Sequence, residues 1–210
     1  LLACAKHFAV HSGPECNRHE FNVENLPERY LWETYLPAFK AAVTEAGTWG
    51  IMGAYNLYKN QHNCHNHILL NKILKQNWGY DGVVVSDWGG CHNTEEAITN
   101  GLDLEFGSWT DGLTMGATNA YDSYYLALPY KRLIQEGKYS TKELDEKVRR
   151  VLRLFYRTTM NRHKPYGFLC SESHYDAALK IAQEGIVLLK NEGNLLPLTS
   201  HLSPLKKILV

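Results

Sequence analysis

The stretch Gly79-Tyr80-Asp81-Gly82-Val83-Val84-Val85-Ser86-Asp87-Trp88-Gly89-Gly90 decides the fold of this chain. Three consecutive valines between glycines predict a short strand buried on both faces, as in a parallel sheet covered by helices on both sides. The strand stops at a carboxylate beside a tryptophan, and two glycines then permit a tight turn. In a β/α barrel, catalytic groups stand at the C-terminal ends of strands. A carboxylate beside a flat aromatic suits a sugar: one group can attack, and the other can stack on the apolar face of a pyranose. A plainer assignment fits the same residues, with Asp87 capping the next helix and Trp88 filling core.

Outward from this strand, the pattern alternates. Upstream, Leu2 to Phe8 and Ile51 to Asn56 read as strands, the first ending at Lys6-His7. Between them lie a polar loop from Val10 to Leu26, a helix opened by Pro27 and running toward Tyr35, and a continuation from Pro37. A polar loop to Asn66 precedes a helix from Ile68 to Trp78, with Leu69, Leu70, Ile73 and Leu74 on one face. Downstream, Thr94 starts a short helix ending at Gly101, and Leu102 to Phe106 alternates like a strand. Tyr121 to Gln135 reads as a helix broken near Pro129. Ser140-Thr141-Lys142-Glu143 reads as a capping box, opening a helix toward Met160 whose basic stretch, Lys147 to Arg157, is assigned to its solvated face. A linker from His163 to Ser173 and a helix from His174 to Lys190 follow.

This alternation predicts an α/β fold with a parallel sheet, a partial (β/α)8 TIM-type barrel of about four strands against the usual eight. The expected organisation is the C-terminal part of a barrel over 1–160, a linker and connecting helix over 161–200, and the first strand of an α/β sandwich over 201–210. Both ends of the sequence read as internal to a longer protein.

Bulk composition narrows the partners. Lysine plus arginine, 22, equals aspartate plus glutamate, 22, which excludes the strong field that favours nucleic acid or an anionic membrane. No apolar run approaches the roughly 20 residues needed to span a bilayer. The 5 cysteines are scattered and form no CxxC pair, so they argue against a disulfide framework.

Four stretches fall in one order: Lys6-His7-Phe8, Gly53-Ala54-Tyr55-Asn56, Val84-Val85-Ser86-Asp87-Trp88 and Gly101-Leu102-Asp103-Leu104-Glu105. Together with Val187-Leu188-Leu189-Lys190-Asn191 and Leu195-Leu196-Pro197-Leu198, they resemble glycoside hydrolase family 3 across essentially the whole chain. The resemblance implies a barrel followed by an α/β sandwich, hydrolysis of β-linked sugars with retention, and no cofactor. It implies that Asp87 is the nucleophile, that Lys6 and His7 bind sugar hydroxyls, and that Tyr55 sits near the nucleophile. Glu15 and Arg18 resemble a segment whose charged residues line the site, and Trp88 would contact substrate. The usual catalytic acid would lie in the second domain, beyond Val210. Secretion or a periplasmic location is suggested by the family alone.

Within the family, β-glucosidase is the leading expectation and β-xylosidase the alternative. His11 to Glu15 and Asn17-Arg18-His19 resemble xylosidase-like members, whereas Trp88 stands where many of those carry cysteine. The hexosaminidase branch expects an Asp-His dyad that Ala9-Val10-His11-Ser12-Gly13 does not supply. Two rivals come from other classes: a non-catalytic carbohydrate-binding barrel, and a metal-dependent hydrolase built on His62, His65 and His67. Zinc sites usually draw spaced pairs from two segments, so the histidine stretch is read as a polar loop rimming the site, with no metal. Asp103 and Glu105 lie two apart on one strand face and are read as barrel-interior structure rather than a catalytic pair.

Overall fold

A computed structural model of the chain describes residues 2–107, 120–160, 163, 167–194 and 196–197. It divides into two units, Leu1–Arg162 and His163–Val210. The first unit holds strands β1 (Cys4–Phe8), β2 (Asn22–Val23), β3 (Gly50–Gly53), β4 (Leu57–Tyr58), β5 (Gln61–His62) and β6 (Val83–Val85). Its helices are α1 (Glu28–Tyr30), α2 (Pro37–Thr44), a π-helix His67–Asn77, α3 (Thr94–Thr99), α4 (Leu128–Gln135) and α5 (Lys142–Arg157). The second unit carries α6 (Glu172–Gly185).

The main sheet is parallel, in the order β1-β3-β6. All three valines of β6 are buried, as expected for a strand covered on both faces. The register between β1 and β3 shifts between Ala5 and Phe8, so Lys6 and His7 leave the strict alternation of a strand. Around the sheet, Phe8, Ile51, Val84 and Leu102 pack with Leu69, Leu70 and Leu74 of the π-helix in one core. That helix begins where Asn66 Oδ1 accepts the Leu69 N–H at 3.0 Å. Pro37 has no N–H to donate, so it starts α2 instead of extending the wide turn Leu31–Tyr35 that follows α1.

Several expectations change. The stretch Leu102 to Phe106 makes only a single parallel bridge, Val85 to Leu104, rather than a strand. The Asp103 carboxylate takes the Val84 N–H at 2.9 Å, displacing a ladder acceptor with a side chain. The polar segment before Asn66 contains a hairpin of β4 and β5, and β4 also pairs in parallel with β2. Pro129 does not break a helix; it sits in the first turn of α4, after a 3₁₀ turn at Ala120–Ser123. At the start of α5 the expected box is changed: Thr141 is the N-cap and makes no side-chain cap bond, while Ser140 accepts the Lys142 N–H and donates to the Glu143 carboxylate, both at 3.3 Å; Ser171 and His174 cap α6 reciprocally.

The basic stretch of α5 is a solvated face only in part, at Arg149 and Arg153. Lys147 is buried and donates to the carbonyls of Ala97 and Leu102, Arg150 pairs with Asp103 at 3.3 Å, and Arg157 grips Asp81 with both nitrogens. The apolar side chains Val148, Leu152 and Phe155 are exposed as well. In the second unit, α6 ends at Gly185, and Asn191 bonds the N–H and C=O of Leu196. The strand expected over 201–210 lies outside the described residues.

Candidate active site

The parallel strands deliver polar side chains at their C-terminal ends: His7 from β1, Tyr55 just after β3 and Asp87 just after β6. Asp87 is 6% exposed. Its Oδ1 accepts the Trp88 N–H at 2.8 Å, and its Oδ2 lies 3.3 Å from His7 Nε2. Burial lowers the His7 pKa, with the Asp87 charge opposing and Lys6 adding to the fall, so the imidazole is neutral near pH 7 and can donate a proton in a hydrogen bond. The Tyr55 hydroxyl meets the same carboxylate. Burial first, then the Asp87 charge and hydrogen bond, push Tyr55 up to about 12, which keeps the hydroxyl protonated.

The plainer assignment of Asp87 and Trp88 fails on both counts. Asn93, not Asp87, caps α3, its Oδ1 accepting the Glu96 N–H at 2.9 Å. Trp88 is 63% exposed, with its ring 6.0 Å from that of Phe106, and so it offers a face instead of filling core. Lys6 is exposed beside His7 and makes no ion pair with Asp87 among the described residues. Arg18 lies over the Tyr55 ring, 4.7 Å from its centroid. Glu15 opens a 3₁₀ turn, Glu15–Asn17, in the segment before Arg18. His7, Tyr55, Asp87 and Arg18 therefore form one contiguous group, with Lys6 and Trp88 at its margin.

The histidine-rich stretch does not rim the site as a polar loop. Asn63, Cys64, His65 and Asn66 are fully buried; Asn63, Cys64 and Asn66 bond backbone carbonyls at neighbouring strand ends, and His65 accepts the His92 N–H. Two further histidines join from elsewhere. His92 stacks on His62 with ring centroids 3.8 Å apart, and His19 packs 4.1 Å from Tyr55. Burial holds His92 down at about 4, and burial with the neighbouring His62 does the same to His65 despite Glu96 at 2.8 Å. Among the described residues, no group of three or more histidine, cysteine, aspartate or glutamate side chains is arranged to hold a metal ion. His92 carries no local sequence signal and reaches the group through the fold, whereas His19 follows Arg18 in the Asn17-Arg18-His19 stretch without being assigned a contact there.

Asp103 and Glu105 are both engaged by the protein itself. Asp103 is held by Lys75, Arg150 and the Val84 N–H, toward the helices and not into a barrel interior, and Glu105 accepts the N–H groups of Tyr125 and Leu126.

This arrangement can be set beside known proteins. Residues 1–154 match the family model described as the glycosyl hydrolase family 3 N terminal domain. The chain belongs to glycoside hydrolase family 3. Its parallel sheet with flanking helices is accordingly part of that family's (β/α)8-type barrel. Family 3 relatives include the β-glucosidase BoGH3A of Bacteroides ovatus, 50% identical over 91% of this chain and 25% of the relative. A xylan 1,4-β-xylosidase of Xylanibacter ruminicola is 34% identical over 96% of this chain and 24% of its own length. The crystal structure of DesR, a β-glucosidase from Streptomyces venezuelae in complex with D-glucose, superposes with a TM-score of 0.74 at 32% identity, covering 95% of this chain and 25% of that one. The chain thus spans about a quarter of the length of the relatives it matches.

Proposed function

We propose that the protein carrying this chain is a retaining, exo-acting β-glycosidase, in the first place a β-glucosidase, with Asp87 as nucleophile. The observation that carries this reading is the setting of Asp87: a buried carboxylate just beyond the buried strand β6, met by His7 and the Tyr55 hydroxyl and opening beside an exposed tryptophan. The relatives named for β-glucosidase and β-xylosidase activity support it.

In this reading one Asp87 oxygen attacks the anomeric carbon, the glycosidic C–O bond breaks, and the leaving oxygen takes a proton from a second carboxyl group. Water, deprotonated by that same group, then hydrolyses the glycosyl ester. Asp103 and Glu105 are committed to structural bonds, so the second carboxyl comes from elsewhere in the protein. Lys6 and Arg18 are assigned hydrogen bonds donated to sugar hydroxyl oxygens, and His7 and Glu15 are assigned contacts to the same hydroxyls, with Glu15 accepting from them as positive charge grows on the sugar. Trp88 is assigned the apolar face of the substrate.

The test uses the full-length protein and a 2-deoxy-2-fluoro β-glucoside with an activated leaving group. The fluorine slows both steps, and the good leaving group reduces dependence on the acid. A glycosyl adduct on the peptide bearing Asp87, absent in Asp87→Ala, is expected. Stronger labelling by the matching xyloside would move the assignment to β-xylosidase, which the Xylanibacter relative favours. No adduct with either sugar in folded protein would leave a non-catalytic carbohydrate-binding barrel.

A further inference from the structure

The turn Asn63-Cys64-His65 lies under the site, and each of its side chains bonds a different part of the backbone that carries the site. Asn63 Nδ2 donates to Ala9 O at 2.6 Å, just beyond β1, and to Asn56 Oδ1 at 3.2 Å. The Cys64 thiol donates to Ala54 O at 3.4 Å, just beyond β3, and its sulfur accepts the N–H of Asp87 itself at 3.4 Å. His65 Nε2 accepts the N–H of His92 at 3.2 Å, where the loop that begins at Asp87 runs into α3. Three consecutive side chains thus hold the ends of β1, β3 and β6, the strands that carry His7, Tyr55 and Asp87.

We propose that Asn63, Cys64 and His65 are positioning residues, a clamp that sets the nucleophile carboxylate against its neighbours; the claim rests on the reading of Asp87 as nucleophile. The packing around Cys64 agrees. A β-carbon on Gly90 would lie 2.6 Å from the Cys64 sulfur, and one on Gly53 would lie 2.7 Å from the Cys64 Cα. Both strand-end segments approach the turn more closely than any side chain would permit. Cys64 is completely buried, and burial pushes its thiol up to about 12, so it serves as a neutral donor and acceptor instead of a nucleophile.

A clamp of this kind acts on the rate of the chemical step more than on sugar affinity, because a misplacement of about 1 Å can cost on the order of 100-fold. The experiment follows trapping by the 2-fluoro β-glucoside in full-length protein. Its saturating rate constant, half-saturation concentration and final number of labelled sites are separate readouts. Cys64→Ala is expected to lower the rate constant about 30-fold with half-saturation within about twofold of wild type. Cys64→Ser, whose hydroxyl still donates and accepts, is expected to recover to within about fivefold. A merely structural cysteine would reduce the number of labelled sites and leave their rate constant unchanged, which overturns the proposal; so does a loss confined to half-saturation. Should Cys64→Ala yield no labelled protein, Asn63→Ser decides: about tenfold slower trapping supports the clamp, and a wild-type rate constant overturns it. If wild-type protein forms no adduct, or one that survives Asp87→Ala, the nucleophile assignment fails first. If the adduct maps to Asp87 while Cys64→Ala reacts at the wild-type rate, the clamp alone fails.

Discussion

Asp87 receives a backbone N–H at one oxygen and faces a neutral imidazole at the other, and the Tyr55 hydroxyl completes its surroundings. None of these three is a full positive charge, so the carboxylate is oriented without being locked into a salt bridge, as the proposed role of nucleophile requires. Tyr55 is the member whose contribution is easiest to isolate. Its ring packs against Arg18 and His19, and the His62 Nδ1–H donates to its carbonyl at 3.1 Å, so loss of the hydroxyl should leave the ring in place. A hydrogen bond to a charged group contributes about 1.5–3 kcal/mol, which corresponds to about 10–100-fold in rate. Tyr55→Phe is therefore expected to lower kcat/KM on an aryl β-glucoside by that factor. A loss under about threefold would mean that the hydroxyl contributes packing alone.

At the scale of elements, the close approach of Gly53 and Gly90 to the Asn63–His65 turn makes a second expectation. Gly90→Ala places a methyl against the Cys64 sulfur and should destabilise by about 1–3 kcal/mol, the usual cost of overpacking. Removing the sulfur makes room, so Gly90→Ala combined with Cys64→Ala should cost measurably less than the sum of the two. Denaturation midpoints of the four proteins in the cycle measure this, and strict additivity would show that the two groups do not press on each other. Very little of this was legible in the sequence. The valine run, the apolar face of the π-helix and the helix starts at Pro27 and Pro37 announced themselves through periodicity and backbone chemistry, whereas Pro129 was misleading because it opens α4 instead of breaking a helix. The strand ends followed, and with them Asp87, His7 and Tyr55. The β4–β5 hairpin did not, because its turn residues Lys59 and Asn60 adopt positive φ without a glycine to mark it. The Asn63–His65 turn looked like a polar loop because polar side chains usually face water. Here they are buried, and Asn63 and Cys64 bond backbone groups just beyond β1, β3 and β6.

Across the whole first unit, the surprise is the direction in which α5 faces. Periodicity alone would bury Val148, Leu152 and Phe155, yet it is Lys147 and Arg150 that turn inward, because buried acceptors await them. The centre of that arrangement is Asp103, whose side chain is fully buried. It meets Lys75 of the π-helix at 3.2 Å, Arg150 of α5 at 3.3 Å and the Val84 N–H of β6 at 2.9 Å. Burial lowers the Lys75 pKa to about 8 even with Asp103 raising it, so the ammonium already sits at a desolvation cost that the carboxylate offsets. Asp103→Ala would leave that ammonium, a half-buried guanidinium and a buried N–H without their common acceptor. Breaking a buried pair from one side costs about 3–5 kcal/mol, and that loss is expected in the denaturation midpoint. Lys75→Met should cost much less, because Asp103 keeps Arg150 and the Val84 N–H while the methionine fills the vacated volume. Equal costs for the two would place the stabilisation in the lysine itself. A cost below about 1 kcal/mol for Asp103→Ala would mean that apolar packing, and not this carboxylate, joins the two helices to the sheet.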